Sequence, residues 1–220
     1  MKTLSLIASA VLALAANTSA NAAFVVYSDP VAFAAAAGSL HTETFASAPL
    51  SGNTTANYSR AFTDFTLSSA ANGNYSGIVN NTYNGDGGAP ASFLGQNFYG
   101  WGSNAGNTGP TSTFTVAAAS AFGFDFFNTD STDRYTISIN GVDRGAIGYI
   151  SNGFFGVIAN GADHINQVQI RTASFGGYVS SAGVDNVRVA ANVVPEPSAL
   201  ALTAGALLAV AGVRRRKNAR

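Results

Sequence analysis

The chain has 220 residues, no cysteine, and eleven acidic against eleven basic side chains. The lack of cysteine excludes disulfides, thiolate catalysis and thiolate zinc sites. The charge is unevenly placed: between Ala23 and Val193 ten acids face five arginines and no lysine, a net charge of −5. That sign excludes a nucleic-acid binder, which needs clustered Lys and Arg.

The amino end reads as an export signal. Lys2 precedes the small apolar run Leu4–Ala16, and Ala20-Asn21-Ala22 forms an A-x-A cleavage site. Residues 1–22 are therefore a signal peptide for signal peptidase, and the mature chain is expected to begin at Ala23. Residues 23–193 then form one domain, because about 150 residues bury ~70% of the surface of the unfolded chain without needing disulfides.

Within that domain, Asp29-Pro30 opens a short helix over Val31–Ala37 and Gly38 closes it, with Asp as N-cap, Pro in the first turn and Gly past the end. Alternation of period two follows. Strands are predicted over Leu40–Phe45, Phe62–Leu67, Thr113–Val116, Phe122–Phe126, Tyr135–Ile139, Phe154–Ile158, Ile165–Ile170 and Val184–Val189. Asn140-Gly141 between Ile139 and Val142 is a hairpin turn. Many short strands separated by Gly/Asn turns predict a mainly β fold, an antiparallel jelly-roll-like β-sandwich with one short N-terminal helix.

Residues 72–110 are rich in Gly and Asn and scattered with aromatics, and read as long loops with short strands. Loops carry function more often than scaffolds do. Tyr99 and Trp101 are the candidate platform for stacking on sugar rings, although rings of this kind more often fill a core or brace a loop. Thr111, Thr113 and Thr115 form a T-x-T-x-T ladder that reads as an ordinary exposed strand face.

The carboxyl end has three parts. Val194-Pro195-Glu196-Pro197 resists helix because proline fixes φ, and Ser198 can then cap a helix. Ala199–Val213 is uncharged, and Arg214, Arg215, Arg216 and Lys217 make a basic stop that stays cytoplasmic. The apolar run is shorter than the ~20 residues of a comfortable transmembrane helix, which suits a transient span. This order resembles the PEP-CTERM tail of Gram-negative bacteria, which exosortases cut near Pro-Glu-Pro. Tyr27–Phe33 followed by Glu43-Thr44-Phe45 is similar to the opening helix and strand of many such proteins. The resemblance implies export through the inner membrane, a transient anchor in residues 194–220, exosortase processing, and delivery to the cell surface or to an exopolysaccharide or biofilm matrix. It implies no single activity.

Catalytic motifs are sparse. There is no H-E-x-x-H, G-x-S-x-G or P-loop pattern, and the only histidines are His41 and His164. His41 and Glu43 share a strand face, but two ligands are too few for zinc. Asp185 in Val184-Asp185-Asn186-Val187-Arg188-Val189 stands out, since alternation places it beside Val187 and Val189, and a buried carboxylate must be paired, hydrogen-bonded or metal-bound. That segment resembles the closing strand of secreted jelly-roll domains, including carbohydrate-binding modules with a structural calcium. The resemblance implies a calcium held by Glu43 and Asp185; the alternative is that Asp185 accepts backbone amides at the strand start. The function expected is non-catalytic, structural or binding, with no cofactor required. A carbohydrate-active hydrolase using Asp residues in a cleft is the alternative.

Overall fold

A computed structural model describes residues 24–51, 57–70, 75–80, 97–103, 111–128, 134–147, 153–160, 163–174 and 180–191. The signal segment 1–22, the sorting motif Val194–Pro197 and the basic stop Arg214–Lys217 lie outside them. Among the described residues no helix is long and apolar enough to cross a membrane.

The elements in chain order are β1 (Phe24–Tyr27), α1 (Pro30–Ala37), β2 (His41–Glu43), β3 (Tyr58–Ala61), β4 (Phe65–Ala70), β5 (Tyr75–Val79), β6 (Phe98–Ser103), β7 (Thr111–Asn128), β8 (Arg134–Ile139), β9 (Val142–Ile147), β10 (Gly153–Ala159), β11 (Ile165–Ser174) and β12 (Ser180–Ala191). All the pairings are antiparallel. The helix forms as expected: Asp29 accepts from the Ala32 amide at 2.7 Å, and Gly38 ends it at φ 76°.

The organising element is β7. The two strands predicted at Thr113–Val116 and Phe122–Phe126 are one strand of 18 residues, bent at Ala118, whose φ is 49°. Its first half lies between β4 and β11, its second half between β10 and β12. The fold is thus a sandwich-like pair of sheets joined through β7. The first sheet runs β3-β4-β7-β11-β8-β9; the second runs β1-β10-β7-β12, with β6 and β5 beyond β12. The far edge of β12 has two partners in succession, β6 along 180–184 and β2 along 187–189.

The core lies between the sheets and is aromatic. Phe114 and Phe124, ten positions apart on the bent strand, stack at 6.1 Å and 9°. Trp101 and Phe126 from the second sheet meet Tyr135 of the first at 5.9 and 5.7 Å. The outer face of the second sheet is covered at one end by α1, where Phe33 sits over the cross-strand pair Gly123 and Gly156. A Cβ on Gly156 would lie 2.6 Å from the Phe33 ring, so the close approach requires glycine there.

Elsewhere the sequence misplaced a boundary. The strand expected over Phe62–Leu67 is instead a hairpin of β3 and β4 that turns at Phe62–Asp64, closed by the Phe62 amide on the Phe65 carbonyl at 2.8 Å. The Asn140-Gly141 turn stands as read, with both residues at positive φ, 51° and 80°, as a type I′ hairpin requires.

Candidate functional site

Where β12 passes from β6 to β2, its ladder breaks. The register slips between Asp185 and Arg188, and Asn186 takes a left-handed φ of 48°. One extra residue is absorbed there, as in a β-bulge, so Val184, Val187 and Val189 all enter the core. This corrects the strict alternation that grouped Asp185 with Val187. Asp185 instead lies directly across the ladder from Asp125 of β7.

Asp125 shares a face with Gly123, outside the core, and is fully engaged. Arg188 donates to both of its oxygens, at 2.9 and 3.2 Å, and the Asn186 amide group donates to Oδ2 at 2.7 Å. Arg188 also lies over the Phe154 ring at 5.1 Å, which holds the guanidinium in place. Asp185 is 1% exposed; its Oδ1 accepts from the Asn186 amide at 2.7 Å, while Oδ2 has no hydrogen-bond partner. Burial pushes the Asp185 carboxyl up to about 7, with the negative charges of Asp125 and Glu43 adding to the rise. Two facing carboxylates are thus driven apart in behaviour: Asp125 is ion-paired, and Asp185 is poised to hold a proton near neutral pH.

Glu43 is on β2 opposite Val187, and its Oε1 accepts from the Phe45 amide at 2.7 Å. β2 and β12 therefore bring Glu43 and Asp185 into the same neighbourhood, as the calcium expectation requires. Calcium takes 6–8 oxygen ligands. Among the described residues no group of three His, Asp or Glu side chains is placed to hold a metal, and Asp185 Oδ2 is the one carboxylate oxygen of this trio left buried without a hydrogen bond. His41 faces Asp64, its Nδ1 bonded to Asp64 Oδ2, instead of joining Glu43 in a metal pair.

The stacking platform does not exist. Tyr99 and Trp101 are 0% and 1% exposed, facing the core while Gly100 takes the opposite face of β6. Trp101 packs on Phe126 and Tyr135, and the Tyr99 hydroxyl meets Ser112 Oγ at 2.9 Å. Burial raises the Tyr99 phenol to about 12, so it stays a neutral hydrogen-bonding group. These rings hold the sandwich together and are closed to a sugar.

A cleft of about 410 Å³ opens elsewhere, where Phe24 approaches the β8–β9 turn. Arg144 lies 4.8 Å over the Phe24 ring at its edge, and Asp163, His164 and Asn166 line it. Asn140 shapes it from below: its Oδ1 accepts from the Asn166 and Gln167 amides and its Nδ2 donates to the His164 carbonyl.

Sequence reasoning missed Asp125, Asn186 and Arg188. The signal for Asp125 was available: a lone aspartate inside Phe122–Phe127 must find a partner, since an unpaired charge among apolar residues is costly.

Comparison with known proteins adds the following. No protein-family model matches the chain, and no curated protein matches it. Among solved structures it is similar to a variant of a family 29 carbohydrate-binding module complexed with mannohexaose, at 11% identity and a TM-score of 0.37, over 69% of this chain and 90% of that one. A second variant of the same module gives 11% identity and 0.33, over 70% and 92%. The enzymatically active domain of tailspike protein 4 of bacteriophage CBA120 gives 13% identity and 0.31, over 67% of this chain and 20% of that chain.

Proposed function

We propose that this chain is an exported surface or extracellular-matrix protein, sorted by an exosortase, whose jelly-roll-like β-sandwich is a structural and glycan-binding module without catalytic activity. The sorting half of the reading rests on the order of the tail: Val194-Pro195-Glu196-Pro197, an uncharged run, then Arg214–Lys217. Signal peptidase and an exosortase are the processing partners, the inner membrane is a transient station, and exopolysaccharide is the matrix partner.

Among the described residues, the fate of the carboxylates supports the non-catalytic half. A hydrolase needs two carboxyl groups flanking one scissile bond. Asp29 caps α1, Asp64 meets His41, Asp125 is tied to Arg188, and Asp143 accepts from the Gly145 amide at 2.8 Å. Asp185 is closed to solvent. Among the described residues the cleft beside Phe24 carries Asp163 as its one carboxylate. The hydrolase alternative therefore needs a second acid there, and it predicts glycan cleavage that Asp163→Asn abolishes.

The deciding experiment follows the full chain through export with and without an exosortase. The mature mass should lose residues 1–22 in both cases, and the segment beyond Pro-Glu-Pro only when exosortase is present. Pro195→Ala with Glu196→Ala should leave the uncut chain in the membrane. Identical masses with and without the enzyme would remove the sorting reading.

A further inference from the structure

The outer face of the first sheet is built differently from the rest of the molecule. Read across the strands, one row of cross-strand neighbours is Ser59, Ser68, Thr113, Gln169, Ser138 and Asp143, one residue from each of β3, β4, β7, β11, β8 and β9. The adjacent row runs Ala61, Thr66, Thr115 and Gln167. On the other side Ala70, Thr111, Arg171 and Thr136 are aligned. The intervening residues of these strands, such as Leu67, Phe114, Ile137 and Val168, point into the core, so the rows share the opposite face, exposed or half-buried.

Side chains along the first row already communicate. Ser138 Oγ donates to Gln169 Oε1 at 3.4 Å, and Gln169 Nε2 donates to Thr113 Oγ1 at 3.2 Å, a relay spanning three strands. Short hydroxyl and amide side chains held at ladder spacing are pre-ordered, so a ligand that replaces water on them has less ordering to impose.

The composition of the face selects its partner. The domain is acidic, yet these rows carry one cation, Arg171, with Arg134 at the margin of the same face, and one anion, Asp143, which stands at the end of its row. A polyanion would need several cations, as phosphate binders show. A protein interface would need aromatic or aliphatic anchors at its centre, and a membrane would need an apolar face; the rows hold neither. What matches is an uncharged polymer dense in hydroxyl groups. Neighbouring strands are ~4.8 Å apart, close to the length of one sugar residue in an extended chain, so successive residues laid across the strands would meet the same kind of side chain.

We propose that this face, and not the aromatic segment around Trp101, is the contact surface for a neutral polysaccharide, bound across the strands along the Ser59–Asp143 row. This rests on the glycan-binding reading above and gives it a place. Each contact exchanges a bond to water for a bond to sugar, so single oligosaccharides bind weakly and retention comes from many sites along one polymer.

The test is retention of the mature protein on insoluble neutral polysaccharides (glucan, mannan, galactan) and on a polyuronate. It compares the parent, Thr113→Glu with Gln169→Glu, Thr113→Val with Thr115→Val, and Val31→Glu on the exposed side of α1 as a charge control. The valine pair keeps β-forming, branched side chains and so preserves the fold if the glutamate pair does not. Expected is retention on a neutral polysaccharide, weakened at least about tenfold by either face variant and unchanged by Val31→Glu. Retention that survives both face variants overturns this surface and leaves glycan binding standing. Retention on the polyuronate alone overturns the neutral class. No retention on any polymer overturns both the surface and the glycan-binding reading. Slowed ice recrystallisation in place of retention, lost in the valine pair, would reassign the face to ordered water.

Discussion

Asp185 and Asp125 face each other across the β12–β7 ladder, and Arg188 closes both arms of its guanidinium on Asp125 alone. Burial and the neighbouring negative charges raise the Asp185 carboxyl from 3.8 to about 7. A raised acid binds its proton more readily in the folded than in the unfolded chain. Its contribution to stability is present in full below pH 3.8 and is lost as the pH climbs to about 7. Denaturant unfolding should therefore show stability falling by about 1–3 kcal/mol between about pH 5 and pH 8. Asp185→Asn should flatten that slope and stabilise the protein at the alkaline end. A calcium held by Asp185 and Glu43, with ligands from outside the described residues, predicts the reverse: a midpoint raised by calcium, lowered by EDTA, and insensitive to calcium in Asp185→Ala.

Removing Arg188 exposes the other side of this arrangement. Arg188→Ala leaves Asp125 without its cation, opposite a second carboxylate, and takes a planar group off Phe154. Since the pair is about one-fifth exposed, solvent moderates the loss, and a destabilisation of about 1–3 kcal/mol is expected at neutral pH. It should shrink at acid pH, where Asp185 is protonated. Arg188→Lys should recover part of it, because lysine restores charge without the two-pronged geometry. Chemical denaturation at two pH values measures both.

Phe33 anchors α1 only because the strands below it carry glycine. Gly156→Ala places a methyl against the Phe33 and Phe154 rings, 2.6 and 2.7 Å from their nearest atoms. Overpacking of this kind costs about 1–3 kcal/mol. The thermal midpoint should fall, and it should fall less when Phe33→Leu is made at the same time.

Trp101 is the protein's single tryptophan and is 1% exposed. Its emission should be blue-shifted and resistant to soluble quenchers, and should not move when polysaccharide is added. Trp101→Ala should cost about 3–5 kcal/mol through the cavity it leaves. Loss of glycan retention in that variant would then track unfolding, which circular dichroism separates from a binding defect.

The sequence was most legible where local chemistry alone decides the backbone. Asp29-Pro30 with Gly38 brackets a helix whatever surrounds it, and Asn140-Gly141 can adopt two positive φ values that few other pairs tolerate. It was least legible where distant residues decide. Ala117-Ala118-Ala119-Ser120 has no alternation and no Gly, Pro, Asn or Asp, so continuity of β7 through the bend comes from its partners on both sides. Phe62 and Phe65, stacked at 4.9 Å, look like one strand in sequence but flank a turn. Aromatic identity could not say whether Trp101 faces a sugar or a core. The bulge at Asn186 cancels the period-two rule at the one carboxylate that mattered, while the Asp125 partnership joins residues 61 and 63 positions apart and has no local signature.

The sharing of β7 between the sheets also sets an order of events. Its partners are drawn from Phe65–Ala70, Gly153–Ala159, Ile165–Ser174 and Ser180–Ala191. The two halves of the sandwich share one strand, and the second is incomplete without β12. The last partner to emerge during synthesis is β12, immediately ahead of the tail, so the second sheet is completed only when residues 180–191 are available. Contacts this far apart in sequence make for slow folding, and until β12 arrives one side of the second half of β7 has no strand to pair with.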